Sequence, residues 1–216
     1  MFRIITLERE FGSGGGGIAC ELARRLDWKL WDQQLTCEIA KRANVAESAV
    51  MLCDERVDSR LYRLAKAFWR GSYERSVPLA DSHVFDTDRM MALMQEITGH
   101  IADQGNAVIV GRGSPFFLRD RADTFRVFTY ADRDEKIRRL LAMGKSRAEC
   151  EELVENVDKE RIAYIKHYFN ADWPTRSLYH LMINTGIGNE NVIETILHGM
   201  KTLSSEASEA SLHLVR

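Results

Sequence analysis

The stretch EREFGSGGGGIACELARRL, residues 8–26, contains six consecutive positions, 12–17, of which five are glycine and one is Ser13. The apolar run FRIITL at 2–7 precedes it and predicts a strand, whereas Ile18, Leu22 and Leu26 recur at the spacing of a helix face. A glycine-rich turn between a strand and a helix directs several backbone N–H groups and the positive end of the helix dipole to one point. The stretch therefore predicts an oxyanion-binding loop formed by Gly12, Ser13, Gly14, Gly15, Gly16 and Gly17.

This loop lacks the lysine that phosphate-binding loops carry in the pattern G-x-x-x-x-G-K-[ST]. Ile18 and Ala19 follow Gly17 where the lysine and a hydroxyl residue belong, and no lysine lies between Glu8 and Lys29. Arg9 is a candidate for the replacing charge, unless it is an ordinary surface arginine. Ser13 supplies a hydroxyl to the ligand or only satisfies the backbone. A flexible turn packed tightly against the sheet is the alternative interpretation of the glycines.

The composition is that of a soluble globular protein and excludes several classes of function. Hydrophobic residues make up 45% of the 216 residues and charged residues 29%, with a net charge of -2, so nothing indicates nucleic-acid or membrane binding. The N-terminus has no secretory pattern, and we expect a cytoplasmic protein. The cysteines show no ligand spacing, so we predict reduced thiols and no metal held by cysteine or histidine. They are Cys20, Cys37, Cys53 and Cys150.

Strand and helix patterns alternate along the chain, which predicts a parallel α/β sheet with helices on both faces. Strands are predicted at 2–7, 28–31, 106–113, 124–131 and 179–187, and helices at 16–26, 34–42, 47–68, 87–103, 132–144, 146–168 and 189–203. Ligands of such sheets bind at the carboxyl ends of the strands. The glycine loop follows the first predicted strand, and Gly111–Gly113 and Thr185–Gly186 lie at the ends of two others, so we expect all three at one edge.

Four segments resemble the cytidylate kinase-like family, relatives of the nucleoside monophosphate kinases with the P-loop fold. They are ITLEREFGSGGGGIA, LWDQQL, VIVGRG, and VDKERIAYIKHYFNADW followed by YHLMINTGIG. The resemblance implies a three-layer α/β fold with a five-stranded parallel sheet, a helical acceptor-binding insertion and a helical lid. It divides one domain, 1–203, into a core (1–45, 87–145 and 179–203), an acceptor-side region (46–86) and a lid (146–175), followed by a C-terminal tail (204–216).

The resemblance also implies roles for charged residues outside the loop. Arg112 matches an arginine that binds the acceptor's monophosphate; a strand-end arginine paired with a surface carboxylate is the alternative. Asp32 matches an acidic residue near the acceptor, or is a helix N-cap. Asp158 and Arg161 fit a D-x-x-R pattern of the lid, which implies that Asp158 binds substrate and that Arg161 is catalytic. A solvated helix face is the other interpretation. Arg138 and Arg139 follow the fourth strand, where lid-adjacent arginines occur.

The function implied by this resemblance is phosphoryl transfer from ATP, with Mg²⁺, to a nucleoside monophosphate, CMP or dCMP being the expected acceptor. Family members that lack the lysine often carry an arginine where this chain has Gly16, so the loop departs further from the pattern. A nucleotide-binding regulatory module with weak catalysis, or a kinase of another small molecule, remain alternatives. Partners other than small-molecule nucleotides are not expected, and the chain is predicted to be a monomer or a homodimer.

Overall fold

The structure, a computed structural model, describes residues 1–32, 35, 38 and 87–213, of which 87–90 and 205–213 are described by their backbone. The predicted helices at 34–42 and 47–68, together with the rest of the acceptor-side region, lie outside the described residues. Within the described part, the strands are β1 (Ile4–Arg9), β2 (Lys29–Trp31), β3 (Ala107–Val110), β4 (Thr124–Tyr130) and β5 (Leu181–Asn184).

The helices connect these strands in the alternation predicted from the sequence. They are α1 (Gly15–Leu26), α2 (Thr87–Gln104), α3 (Ser114–Phe117), α4 (Arg133–Ala142), α5 (Arg147–Phe169) and α6 (Asn189–His213). Two 3₁₀ turns, Arg176–Leu178 and Thr185–Ile187, flank β5. The closing helix continues past the predicted end at 203 to His213, so residues 204–213 of the predicted C-terminal tail are helical.

The described strands form a five-stranded sheet in the order β2-β3-β1-β4-β5, and all neighbouring strands are parallel. The predicted fold class is therefore confirmed. β1 lies at the centre, with Leu7 opposite Val110 of β3 and Arg9 opposite Thr129 of β4. The chain passes from β1 to β2 on one side of β1 and later from β3 to β4 on the other. Ligands of open parallel sheets bind at such a switch point, outside the carboxyl ends of the strands.

Both faces of the sheet are covered because successive side chains of a strand point to opposite faces. On one face, Ile4 packs with Ile97 and Met94 of α2. On the other, Ile5 and Leu7 pack with apolar residues of α1 and α6, among them Ile18, Leu22, Val192 and Ile196. β1 is buried along its whole length, so its carboxyl end is held rigidly.

A separate apolar cluster joins α4 and α5 to the segment that follows β1. Phe11, the residue before the glycine loop, packs with Ile137 and Leu140 of α4 and with Val157 of α5. Helices α4 and α5 are thereby anchored beside the loop. Among the described helices, none combines the length and the apolar character needed to cross a membrane.

At the amino edge of the sheet, His180 links β4 to β5. Its Nδ1 accepts a hydrogen bond of 3.0 Å from the amide of Arg126, and its ring stacks on Phe125 at 5.5 Å. Partial burial lowers the pKa of His180 below its ordinary 6.5, and the Arg126 guanidinium lowers it further. The folded protein therefore favours the neutral imidazole.

We predict that the free energy of unfolding depends on pH through His180, and that the substitution His180→Asn weakens this dependence. Because the folded-state pKa lies below the unfolded value of 6.5, the unfolded chain binds the proton more readily in that window. The contribution of His180 is complete above pH 6.5 and is lost as the pH falls towards the folded pKa. Urea unfolding of both proteins from pH 5 to 8 measures it. Equal pH slopes for the two proteins would contradict the prediction.

Candidate active site

The glycine loop connects β1 to α1 in a conformation that requires glycine at two positions. Gly12 has φ +74 and Gly14 has φ +80, a left-handed region that other residues adopt at a cost. Gly14 is the N-cap of α1 and has no side chain to bond the first turn. The N–H groups of that first turn have no partners within the helix, so they are available to an anion.

Close packing makes two of the glycines necessary and leaves a third open. A Cβ at Gly14 would lie 2.7 Å from Arg139 Nη1, and one at Gly15 would lie 2.7 Å from the Thr129 hydroxyl oxygen. A Cβ at Gly17 would meet nothing within 4 Å. The loop is thus closely packed at Gly14 and Gly15 and open at Gly17, in the first turn of α1.

Ser13 holds the loop to the sheet edge. Its side chain is buried, and its hydroxyl oxygen lies 3.4 Å from that of Thr129. Its carbonyl accepts hydrogen bonds from Arg139 and, at 2.7 Å, from the Thr185 hydroxyl. These contacts are those of a residue that positions the loop, the alternative that the sequence left open.

Of the two arginines predicted on α4, only Arg139 reaches the loop. Besides the Ser13 carbonyl, its guanidinium donates to the hydroxyl of Thr185 at 2.9 Å and to the carbonyl of Thr185 at 3.0 Å, and its Nε lies 2.8 Å from Glu135. Arg138 is exposed and pairs with Glu135 at 2.6 Å. Arg139 therefore braces the glycine loop against the end of β5.

Three arginines predicted from separate segments line one small cleft at the carboxyl edge of β1 and β3. Arg9, Arg112 and Arg161 have exposed fractions of 8%, 5% and 8%. The cleft is lined by Glu8, Arg9, Arg112, Gly113, Arg161, Tyr164, Ile165 and Trp173. Each of these arginines lies beside a carboxylate, Arg9 beside Glu8, Arg112 beside Asp32 and Arg161 beside Asp158. A phosphate in the cleft would be a further anionic partner for the guanidinium groups.

The ionisation of the strand-end pair reflects this burial. Burial raises the pKa of Glu8, although the neighbouring Arg9 and Arg161 oppose the rise. Burial also lowers the pKa of Arg9, and the charge of Arg161 lowers it further. Perturbation of this kind, by burial together with specific charges in a cleft, is common at functional sites.

Arg112 occupies a strained turn whose neighbours make room for it. Its φ is +58, and Gly111 and Gly113 on either side have φ +64 and +70. A Cβ at Gly111 would collide with Arg9 Nη1, and one at Gly113 would lie 2.6 Å from the ring of Phe169. Left-handed geometry at a non-glycine residue is frequent at ligand-binding positions.

Asp32 faces Arg112 across the cleft margin. The Arg112 Nη2 atom lies 3.9 Å from Asp32 Oδ1, and both side chains are almost completely buried. Asp32 Oδ1 has no hydrogen-bond partner among the described residues. A buried carboxylate oxygen at this distance is available to a ligand hydroxyl or to a hydrated cation. The N-cap alternative for Asp32 involves residues outside the described part.

The D-x-x-R pair binds the backbone at the end of β1. The amide of Phe11 donates to Asp158 Oδ1 at 2.9 Å, and Arg161 Nη1 donates to the carbonyl of Arg9 at 2.9 Å. The two side chains are also 2.9 Å apart. Asp158, expected at the substrate, is occupied here with positioning the chain that leads into the glycine loop.

Lys136, on the first turn of α4, is a neighbour of the loop that the sequence interpretation missed. Its side chain runs beside Gly12, and its Nζ lies 2.6 Å from Glu10 and 3.6 Å from Asp158. The available signal was its spacing: positions three apart share a helix face, so Lys136 lies on the same side of α4 as Arg139.

The sequence profile of the cytidylate kinase-like family matches residues 4–187. The chain belongs to the cytidylate kinase-like family. The match includes the glycine loop, the GRG turn and the D-x-x-R pair of this family member. None of the curated proteins matches it in sequence.

Solved structures similar to this cytidylate kinase-like protein share its fold at low sequence identity. An uncharacterized protein from Eubacterium ventriosum ATCC 27560 is 20% identical, with a TM-score of 0.66, over 93% of this chain and 99% of the other. Shikimate kinase from Acinetobacter baumannii, in complex with shikimate, is 18% identical, with a TM-score of 0.50, over 95% of each chain. The fold is that of P-loop kinases.

The packing around the loop predicts opposite effects for two glycine substitutions. Gly17→Ala should stabilise the protein by about 0.4–1 kcal/mol, because alanine restricts the unfolded chain and meets nothing in the fold. Gly14→Ala should destabilise it by roughly 1–2 kcal/mol or more, since a Cβ is strained at positive φ and would meet Arg139. Denaturant unfolding of the two variants measures both. A stabilised Gly14→Ala would contradict the loop geometry.

Proposed function

We propose that this chain transfers the γ-phosphoryl group of ATP to a small anionic acceptor, with CMP or dCMP as the expected acceptor. The observation that carries this proposal is the meeting of Arg9, Arg112 and Arg161 in one cleft beside the glycine loop. Arg9 ends β1, and the loop begins three residues later, so a donor on the loop and an acceptor in the cleft would be neighbours. Family membership supports a kinase.

On the donor side, the amides at the start of α1 would hold the polyphosphate of ATP. Their partial positive charge, and the glycines that allow close approach, substitute in part for side-chain cations. Arg139 keeps these amides in place through the Ser13 carbonyl. Binding would then depend on main-chain donors that are already oriented before the nucleotide arrives.

On the acceptor side, the Arg112 guanidinium would bind the acceptor's anionic group. A planar guanidinium fork matches two oxygens of a phosphate, which an ammonium group cannot do. A monophosphate acceptor is already ionised and needs no base to become a nucleophile. For an acceptor that reacts through a hydroxyl, Asp32 Oδ1 is the buried oxygen positioned to accept the proton.

In the transfer itself, an acceptor oxygen forms a bond to the γ-phosphorus while the bond to the β–γ bridging oxygen breaks. ADP leaves with the electron pair of that bond. The protein contributes position and positive charge, because charge is spread over the migrating group's oxygens in the transition state. Arg9 and Arg161, buried at the boundary between loop and cleft, are the groups proposed to stabilise that charge.

The residues present fit a magnesium ion only sparingly. Buried Ala19 stands where a hydroxyl ligand belongs, and the described residues contain no cluster of three or more candidate metal ligands. Mg²⁺ commonly binds through one or two carboxylates together with substrate phosphates and water. Asp32, whose Oδ1 has no hydrogen-bond partner within the part of the chain that the structure describes, is the carboxylate proposed to hold it, and the ion would neutralise phosphate charge.

A nucleotide-binding regulatory module is the second candidate. The absence of a lysine between Glu8 and Lys29, together with Ala19 in the hydroxyl position, favours it. Such a module would bind ATP or a cytidine nucleotide with negligible turnover. A kinase of another small molecule would share the donor side and differ in the acceptor alone.

The proposed function predicts acceptor-dependent ADP release that depends on Arg112. The purified chain with ATP and Mg²⁺ is assayed against nucleoside monophosphates and non-nucleotide acids. Arg112→Lys keeps the charge but loses the two-point contact, so kcat/KM for the acceptor should fall by about 100-fold, as when one oxyanion donor is removed. The ATP-induced rise in melting temperature should remain.

Arg119→Ala is the matched control, because Arg119 is exposed and pairs with its neighbour Asp120 at 3.4 Å. It should keep the wild-type kinetics. A Gly14→Asp variant, which places a carboxylate in the glycine loop, gives the background rate. If the wild type binds ATP but turns over no acceptor faster than this variant, the regulatory module is favoured. Failure of every nucleotide to raise the melting temperature would exclude both.

A further inference from the structure

We infer that Lys136 supplies the ammonium group that the glycine loop lacks, by binding the β- and γ-phosphates of the donor. The inference rests on the proposed function, because it needs a polyphosphate on the loop. In a standard loop the lysine reaches these phosphates from the start of the helix after β1. Here the cation would come instead from α4, the helix after β4.

The position of Lys136 against the loop is the first support. A Cβ added to Gly12 would lie 3.1 Å from Lys136 Cβ and 3.4 Å from its Cγ, so the stem of the side chain lies along the loop's first glycine. Its Nζ reaches Glu10, two residues before Gly12. It also reaches Asp158, which itself binds the amide of Phe11, one residue before Gly12.

Burial is the second support. Lys136 is 8% exposed, and the other lysines of the described part are not buried. Placing a lysine ammonium group in a protein interior is unfavourable unless it is paired. A buried ammonium beside an anion-binding loop is therefore unusual for a residue with only a solubilising role.

The remaining cations near the loop have other positions. Arg139 donates hydrogen bonds to the Ser13 carbonyl and to Thr185, and it forms an ion pair with Glu135. Arg9 and Arg161 line the acceptor cleft. Lys136 has three donors and two carboxylate neighbours, and the nearer neighbour, Glu10, has a side chain that is 25% exposed.

A polyphosphate would compete with Glu10 for Lys136. Phosphate oxygens and carboxylates attract an ammonium group by the same charge-assisted hydrogen bonds. Glu10, whose side chain is 25% exposed, can turn towards solvent when a phosphate replaces it at Lys136, whereas Asp158 remains bound to the Phe11 amide and to Arg161. Glu10 thus opposes donor binding and Lys136 favours it.

Two substitutions with opposite expected effects on ATP binding test this inference. Lys136→Met should lower kcat/KM for ATP by about 100-fold, the scale for loss of one charge-stabilising group. Glu10→Gln should tighten ATP binding by about two- to fivefold, because a competing partner is lost. Calorimetry with ATP and AMP, together with ADP release, measures both, and Lys159→Met on the exposed side of α5 is the control.

A purely structural network predicts that Lys136→Met and Glu10→Gln both weaken ATP binding or both leave it unchanged, and either result overturns the inference. AMP, which lacks the β- and γ-phosphates, should bind both variants as it binds the wild type. If the Lys136→Met variant does not fold, the Glu10→Gln variant decides alone. Tighter ATP binding by Glu10→Gln then supports the inference, and weaker or unchanged binding overturns it. Wild-type protein that binds no ATP overturns the proposed function as well, whereas wild-type turnover that survives Lys136→Met overturns this inference alone.

Discussion

The hydrogen bonds that Asp158 and Arg161 make to the backbone of Phe11 and Arg9 hold the segment on which the whole site is built. β1 is buried along its length, but its last residues must leave the sheet and curl into a loop rich in glycine. Glycine adds no side-chain contacts and lowers the order of a loop. Helix α5 supplies the missing order, because it binds the peptide groups directly and Phe11 packs between α4 and α5.

This arrangement gives one helix two effects on the site. Arg161 binds the carbonyl of Arg9 and also lines the cleft with Arg112, so the position of α5 and the positions of the cleft arginines are linked. Arg139 has the corresponding role on the other side of the loop, where it joins Ser13 to Thr185. The proposed donor amides are thus braced from α4, from α5 and from the end of β5.

The segments with clear periodicity were predicted well. The strands at 106–113 and 124–131 contain β3 and β4, and the helix at 146–168 matches α5 within one residue at either end. The first strand was placed two residues early, since Glu8 and Arg9 are polar but buried. The closing helix was ended too soon at 203, because its polar continuation has no apolar face strong enough to identify it from sequence.

The residues of the candidate site were predicted only in part. Arg9, Arg112 and Arg161 were selected from strand ends and a motif, and the structure brings them to one cleft. Lys136 was missed because a lysine that directly follows two acidic residues, Asp134 and Glu135, at the start of a helix is ordinarily solvated. Its burial depends on Gly12 and Asp158, which are 124 and 22 positions away along the chain.

Local patterns along the chain were enough to establish the strand–loop–helix unit, the parallel α/β class and the absence of a loop lysine, since each depends on neighbouring residues. The partners of the charged groups depend on distant segments that only folding brings together. In the sequence alone, Arg139 is compatible with a lid arginine, Asp158 with a substrate ligand and Lys136 with a surface charge. Burial and pairing across the carboxyl edge of the sheet assigned each its neighbours, because the energy of a charge depends on what surrounds it in space.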